Sequence, residues 1–144
     1  MKVKIVEGYN NIEIIIKCPA ITNEIRKLEA HINSFTTEVP CIKNGETFLV
    51  DISDVLYFES VDKRTFLYTV TDVYDLSLKL YEIEEMLKNA GFVRTAKSQI
   101  INTYKITSLR PDFGSRLEVT MLSGEKLIVS RQYSPLLKER LGLK

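Results

Sequence analysis

The 144 residues can bury one ordinary hydrophobic core, or form one domain with a small attached element, and they carry 20 Lys and Arg against 19 Asp and Glu. Hydrophobic residues at 44% and charged residues at 27% exclude the disordered and fibrous classes. The longest apolar pieces are of the kind Ile14-Ile15-Ile16, too short for a membrane span, and the basic start Met1–Glu7 lacks an apolar segment long enough for a signal peptide.

Residues 2–7 alternate Val3 and Ile5 with Lys2 and Lys4, and residues 11–17 alternate Ile12, Ile14 and Ile16 with Glu13 and Lys17. Both patterns predict half-buried strands, joined through the turn-prone Gly8-Tyr9-Asn10-Asn11. Pro19 ends the second, and Thr22 or Asn23 caps a helix on which Ile21, Ile25, Leu28 and Ile32 recur at helical spacing. His31 falls on its surface. A polar break with Pro40 behind it divides the chain into a small N-terminal βα element, residues 1–38, and a main domain, residues 39–144.

From residue 41 the signals are mostly short strands. Asn44-Gly45 marks a hairpin turn, because both residues accept positive φ. Strand patterns follow at Phe48–Val50, Val55–Glu59, Thr65–Val70 and Val73–Leu76, with residues 60–64 a polar connection. Ser77 is the expected N-cap of a helix whose Leu80, Ile83 and Leu87 share a face with Leu76, and Asn89-Ala90-Gly91 ends it. Strands at 105–109, 116–121 and 126–129 are separated by turns at Pro111–Gly114 and Ser123-Gly124. A last short helix has Ser134 as cap, Pro135 at its first position and Gly142 at its end. The fold class expected is mainly β with small helices (α+β).

The run Phe92–Asn102 stands apart. It opens as a strand, is interrupted by two cations and small polar groups, and resumes as Ile100-Ile101. Presenting Arg94, Lys97, Ser98 and Gln99 this way has no packing benefit, but it suits a polyanion, since Lys and Arg pair with phosphates and guanine edges while Ser and Gln add hydrogen bonds. A solvated loop is the plainer reading. Charge partition decides between them: residues 88–144 hold eleven cations and four anions, a net +7, and residues 1–87 hold nine and fifteen, a net −6. Halves of opposite sign point to an anion-binding end, and a near-neutral total does not argue against nucleic acid.

Cys18 and Cys41, far apart, read as reduced thiols of a cytoplasmic protein, with a disulfide the alternative. Two scattered cysteines and one histidine leave no zinc-ligand spacing, so no metal is expected. There is no nucleophile–base pair in a credible context and no Gly-rich phosphate loop, so neither an enzyme nor a cofactor is expected.

With these residues at its joints, the order of elements resembles the LytTR-type DNA-binding domain of bacterial regulators, over about residues 40–141. Asp54–Ser60 resembles the family's first strand, DI.YIE. Leu76, Leu80 and Leu87 stand where its L..LE..L helix does. Phe92–Asn102 resembles F.R.H+S.LVN, and Val129–Tyr133 resembles VSR.Y. The resemblance implies an elongated arrangement of short antiparallel sheets, here with an N-terminal ββα extension, whose loops enter successive major grooves of double-stranded DNA. It implies a transcriptional regulator of the standalone kind, since about forty leading residues cannot hold a receiver domain. One departure is Ala96, where the family commonly carries His.

On this basis the expected DNA contacts are Arg131 first, then Lys97, the loop Lys63-Arg64-Thr65, and Ser98, Gln99 and Gln132. Arg94 is either a contact or a brace for the Glu59 strand. Asn102 is expected to hold a turn. Lys105, Arg110 and Arg116 are flanking phosphate contacts or exposed strand positions. Residues 1–38 are expected to lie off the DNA surface and either to dimerise the protein or to hold a partner, so a homodimer is one expectation. The rival function is a protein-interaction or ligand-sensing module whose basic surface meets an acidic partner.

Overall fold

Ile100 and Ile101 are adjacent in sequence, yet they belong to two different hydrophobic cores. That division runs through the molecule, which we describe from a computed structural model covering residues 1–35 and 37–143. Helix α1 spans Asn23–Phe35. Ten strands follow: β1 Glu38–Lys43, β2 Glu46–Asp51, β3 Tyr57–Val61, β4 Arg64–Tyr68, β5 Val73–Leu76, β6 Phe92–Ala96, β7 Gln99–Asn102, β8 Ile106–Pro111, β9 Leu117–Met121 and β10 Lys126–Val129. Helix α2 (Leu80–Leu87) lies between β5 and β6, and α3 (Ser134–Arg140) follows β10. The strands form two open sheets, a seven-stranded one ordered β2-β1-β5-β4-β3-β7-β6 and a three-stranded one ordered β10-β9-β8, antiparallel throughout.

Successive side chains of a strand point to opposite faces, so a central strand covered on both sides must be apolar at consecutive positions. In β3, Phe58 packs into one core with Leu67, Ile83, Leu87, Phe92 and Ile100. Its neighbour Tyr57 packs into the other with Ile101, Val119, Met121, Val129 and Leu137. The first core is closed by α2 and the second by the small sheet and α3. The Tyr57 ring stacks on Tyr68 at 4.2 Å between centroids, and its hydroxyl donates to Glu125 at 3.0 Å, tying the two sheets together. Burial and that carboxylate push the Tyr57 phenol well above its ordinary pKa, so it stays a neutral donor.

The turns follow their chemistry. Asn44 and Gly45 take φ of 53° and 78° between Lys43 and Glu46 of β1 and β2. The Asp51 carboxylate accepts from the Ser53 N–H at 2.9 Å and caps a single 3-10 turn. Gly91, at φ 88°, sits so close to the Tyr104 ring that a Cβ would come within 2.2 Å of it. Gly142, at φ 73°, closes α3.

Several elements differ from the expectation. Residues 1–22 form no strand, because neither alternating segment finds a partner among the described residues to complete its backbone hydrogen bonds. Pro40 lies inside β1 rather than in a break. It is tolerated because β5 reaches β1 only at Ile42, leaving no neighbour opposite the missing N–H. Helix α2 starts at Leu80, not after Ser77: Leu76 is still paired with Thr65, and residues 77–79 are spent leaving the sheet. The Glu82 carboxylate then accepts the Lys79 N–H at 3.3 Å. Ser134 lies within the first turn of α3, where its hydroxyl donates to the Ser130 carbonyl at 2.9 Å instead of accepting as a cap. The expected Thr22 cap is present, its Oγ1 accepting from the Ile25 N–H at 3.4 Å.

Leu137 is fully buried and is the residue by which α3 is held to the second core. Leu137→Ala should cost about 2–5 kcal/mol of stability in denaturant unfolding. A cost below about 1 kcal/mol would mean that α3 is not anchored as described.

Candidate nucleic-acid interface

Three turns gather at one end of the large sheet. Glu59 of β3 lies opposite Gln99, the first residue of β7, so the β3–β4 turn and the β6–β7 turn project from the same end. The Asn44-Gly45 turn projects from the other, since Ile42 near the end of β1 pairs with the β5 strand whose Leu76 lies beside Thr65. Backbone bonds join the turns to one another. The Ser60 N–H donates to the Ser98 carbonyl at 2.9 Å, and the Ser130 N–H donates to the Thr95 carbonyl at 2.9 Å. The second bond sets the segment between β10 and α3 against the β6–β7 hairpin.

Lys97 and Ser98 are the two exposed residues at the tip of that hairpin. Below them the turn is braced by groups that face inward. The Thr95 hydroxyl is fully buried and donates to the Gln99 side-chain oxygen at 3.0 Å. The Arg94 guanidinium donates from Nε to the Ala96 carbonyl at 2.8 Å, from one Nη to the Lys97 carbonyl, and from the other to Glu84 of α2 at 3.1 Å. Arg94 therefore braces the turn that carries Lys97. Its partner is Glu84, not the Glu59 strand, because α2 packs against β6 while Glu59 lies beyond β7. Gln99, 7% exposed, is likewise a support under the turn and is not presented at the surface.

The β3–β4 connection is tighter than expected. Only Asp62 and Lys63 lie outside the strands, with φ of 51° and 66°, so Ser60, Val61 and Arg64 belong to paired strands. Lys63 is exposed at the tip. Arg64 is exposed, but one of its terminal nitrogens donates to both Asp75 carboxylate oxygens at 2.8 and 2.7 Å, and its guanidinium lies over the Phe66 ring. Thr65 is buried, since its position in β4 faces the sheet interior, and it is not available at the surface.

Arg131 and Gln132 are exposed in the turn between β10 and α3. The Ser130 carbonyl fixes this turn by accepting the N–H groups of Tyr133 and Ser134, each at 3.0 Å, and the Ser134 hydroxyl at 2.9 Å. Among the described residues, Lys63, Lys97 and Arg131 have no ion-pair partner. Several other cations of the basic half are paired: Arg110 with Glu118 at 2.9 Å, Arg116 with Asp112 at 3.1 Å, and Lys88 with Glu85 at 2.8 Å. Asn102 holds a turn as expected, donating to the Val55 carbonyl at 2.9 Å and accepting from the Tyr104 N–H at 3.1 Å.

Sequence reasoning missed Thr95 and the backbone of Ser60 and Ser130. A threonine in a strand pattern is an ordinary β residue, and carbonyl–amide bonds between distant turns leave no mark on side-chain identity. That end therefore carries Lys63, Lys97 and Arg131, without ion-pair partners among the described residues, on three short turns joined by backbone hydrogen bonds.

A sequence profile described as the LytTr DNA-binding domain matches residues 45–142. The sensory transduction protein LytT of Enterococcus faecalis is 34% identical over 106 residues, which is 73% of this chain and 43% of that protein; the chain thus spans less than half of that relative. An uncharacterized HTH-type transcriptional regulator of Staphylococcus aureus is 26% identical over 147 residues and is covered to 99%, as is this chain. Among solved structures, the LytTr DNA-binding domain of a methyl-accepting/DNA response regulator from Bacillus cereus superposes with a TM-score of 0.71 at 28% identity, over 75% of this chain and 99% of that one. The end of the sheet that carries the three turns lies within the matched residues, and the chain belongs to the LytTr DNA-binding domain family.

Proposed function

We propose that this protein is a transcriptional regulator that binds double-stranded DNA sequence-specifically through turns entering the major groove. The observation that carries this reading is the grouping of Lys63, Lys97 and Arg131, unpaired among the described residues, on three turns linked by backbone hydrogen bonds. No recognition helix is needed at this end: α2 presents its apolar face to the core, and α3 is anchored through Leu137. Arg131 is the residue assigned to base reading, as a guanidinium fork matches the two acceptors of guanine. Lys97 and Lys63 flank it, with Ser98 and Gln132 as hydrogen-bonding partners. Arg94, Gln99 and Thr65 act from beneath by holding the turns. Residues 39–144 are the DNA-contacting unit and residues 1–38 an attached element through which the protein forms a homodimer. No helix of the described residues is long and apolar enough to cross a membrane, and a regulator of this kind works in the cytoplasm.

Binding should be strongly salt-dependent. A plot of log K against log salt should have a slope of about −0.9 for each phosphate neutralised, so three or more contacts give a slope steeper than about −2.5. Gel shifts with duplex, single-stranded and polyanionic competitors check this. Equal competition by single strands, or capture only by an acidic protein, would support the interaction-module reading instead.

The two arginines separate reading from bracing. Arg131→Ala should cost about 1–3 kcal/mol of affinity and relax preference at one base pair, with the fold intact by circular dichroism. Arg94→Ala should lower the unfolding midpoint and weaken binding to all sequences alike, because it loosens the turn under Lys97 without removing a base contact. Unchanged base preference in folded Arg131→Ala protein would remove this turn from the readout.

A further inference from the structure

Residues 1–21 make no backbone hydrogen bond with any described residue, although their composition is that of two strands. The segment exposes Val3, Ile5, Tyr9, Ile12, Ile14 and Ile15, with Ile12 at 98% and Ile5 at 90% exposure. A row of free N–H and C=O groups flanked by isoleucine is a template for another strand. The side chains of the second segment are already sorted: Ile14, Ile16 and Cys18 line a groove of about 430 Å³ against Ile25 and Ile32 of α1, while Glu13, Ile15 and Lys17 occupy the alternate positions.

We propose that this segment pairs antiparallel with the same segment of a second copy, about a two-fold axis at Ile15, and that this is the dimer interface of the protein. The charges favour that register over a shift by one residue, over parallel pairing and over the shortest fold-back. With Ile15 opposite Ile15, Ile14 meets Ile16, Ile12 meets Cys18, and Glu13 meets Lys17 twice, once on each side of the axis. Shifting the axis to Ile14 sets Glu13 against Ile15 and Lys17 against Asn11, and both opposite-charge pairs are lost. Parallel pairing in register places Glu13 beside Glu13. Folding back on residues 2–7 of the same chain, through the four residues Gly8–Asn11, sets Lys17 against Lys2. Opposite charges directly across an antiparallel pair stabilise it and like charges oppose it, so of these arrangements the self-pairing about Ile15 is the one the charges favour. The interface is isologous, as a two-fold dimer requires. It leaves the three basic turns of each copy free, so a dimer could engage two DNA sites at once, a consequence that rests on the DNA-binding reading.

The test is sedimentation equilibrium of the whole protein without DNA, so that its outcome does not depend on DNA binding. The wild type should dimerise. Glu13→Lys and Lys17→Glu should each weaken the dimer roughly tenfold, since two opposite-charge pairs become two like-charge pairs. An equimolar mixture of the two single variants should form a heterodimer as tight as the wild type, because every pair across the axis is then complementary. The Glu13→Lys, Lys17→Glu double variant should also recover. Both positions are exposed, and circular dichroism checks that each variant is folded. A wild type that stays monomeric overturns the proposal. So does a dimer indifferent to the swaps, which would mean that the segment adds to another edge, such as β2, or that the copies meet elsewhere.

Discussion

The whole arrangement depends on two central strands, β3 and β7, being covered on both faces. Tyr57 and Phe58, and likewise Ile101 and Ile100, divide their side chains between a core closed by α2 and a core closed by the small sheet and α3. A strand buried on two sides cannot slip by one residue without exchanging its two apolar sets, so its register is firmly specified. That register sets Glu59 opposite Gln99, and this pairing brings the β3–β4 and β6–β7 turns to the same end of the sheet. The two-sided core also requires α3 to return over the sheet. The segment leading into it, with Arg131, is thereby laid against β6.

At this end the chemistry is divided between groups that face out and groups that hold them. Lys63, Lys97 and Arg131 stand on turns of two to four residues. A long basic loop would lose more conformational entropy on binding; a two-residue turn braced by Arg94, Thr95 and Gln99 has already lost most of it. Arg94 satisfies carbonyls that would otherwise point into a tight turn, and Glu84 of α2 ties the same guanidinium to the helix. Helix α2 thus supports the β6–β7 turn from beneath.

Much of this was legible in the sequence because local chemistry and tertiary demand agree. Asn44-Gly45 became a positive-φ hairpin, the Leu80, Ile83 and Leu87 face of α2 became the core face, and the interrupted run from Phe92 became a hairpin with Lys97 at its tip. Illegible features were those set by partners distant in sequence. Gln99 and Thr65 look like surface hydrogen-bonding residues, yet the hairpin pairing points both inward. Arg94 was open between contact and brace, and only the packing of α2 beside β6 supplies Glu84. Pro40 signals a break wherever a strand has neighbours on both sides, and no sequence pattern shows that β5 meets β1 only at Ile42. The alternation in residues 2–17 is a strand pattern that pairs with no strand among the described residues.

The central claim is that one end of the sheet, and not a helix face, meets DNA. Its most direct test is a backbone amide NMR titration of the protein with a duplex selected by the protein from a random-sequence library. The account predicts the largest shift changes at Asp62–Arg64, Lys97–Ser98 and Arg131–Gln132, with little change around Asn44-Gly45 at the opposite end. Changes centred on the Asn44-Gly45 turn or on the exposed face of α2, with the three basic turns unmoved, would contradict it.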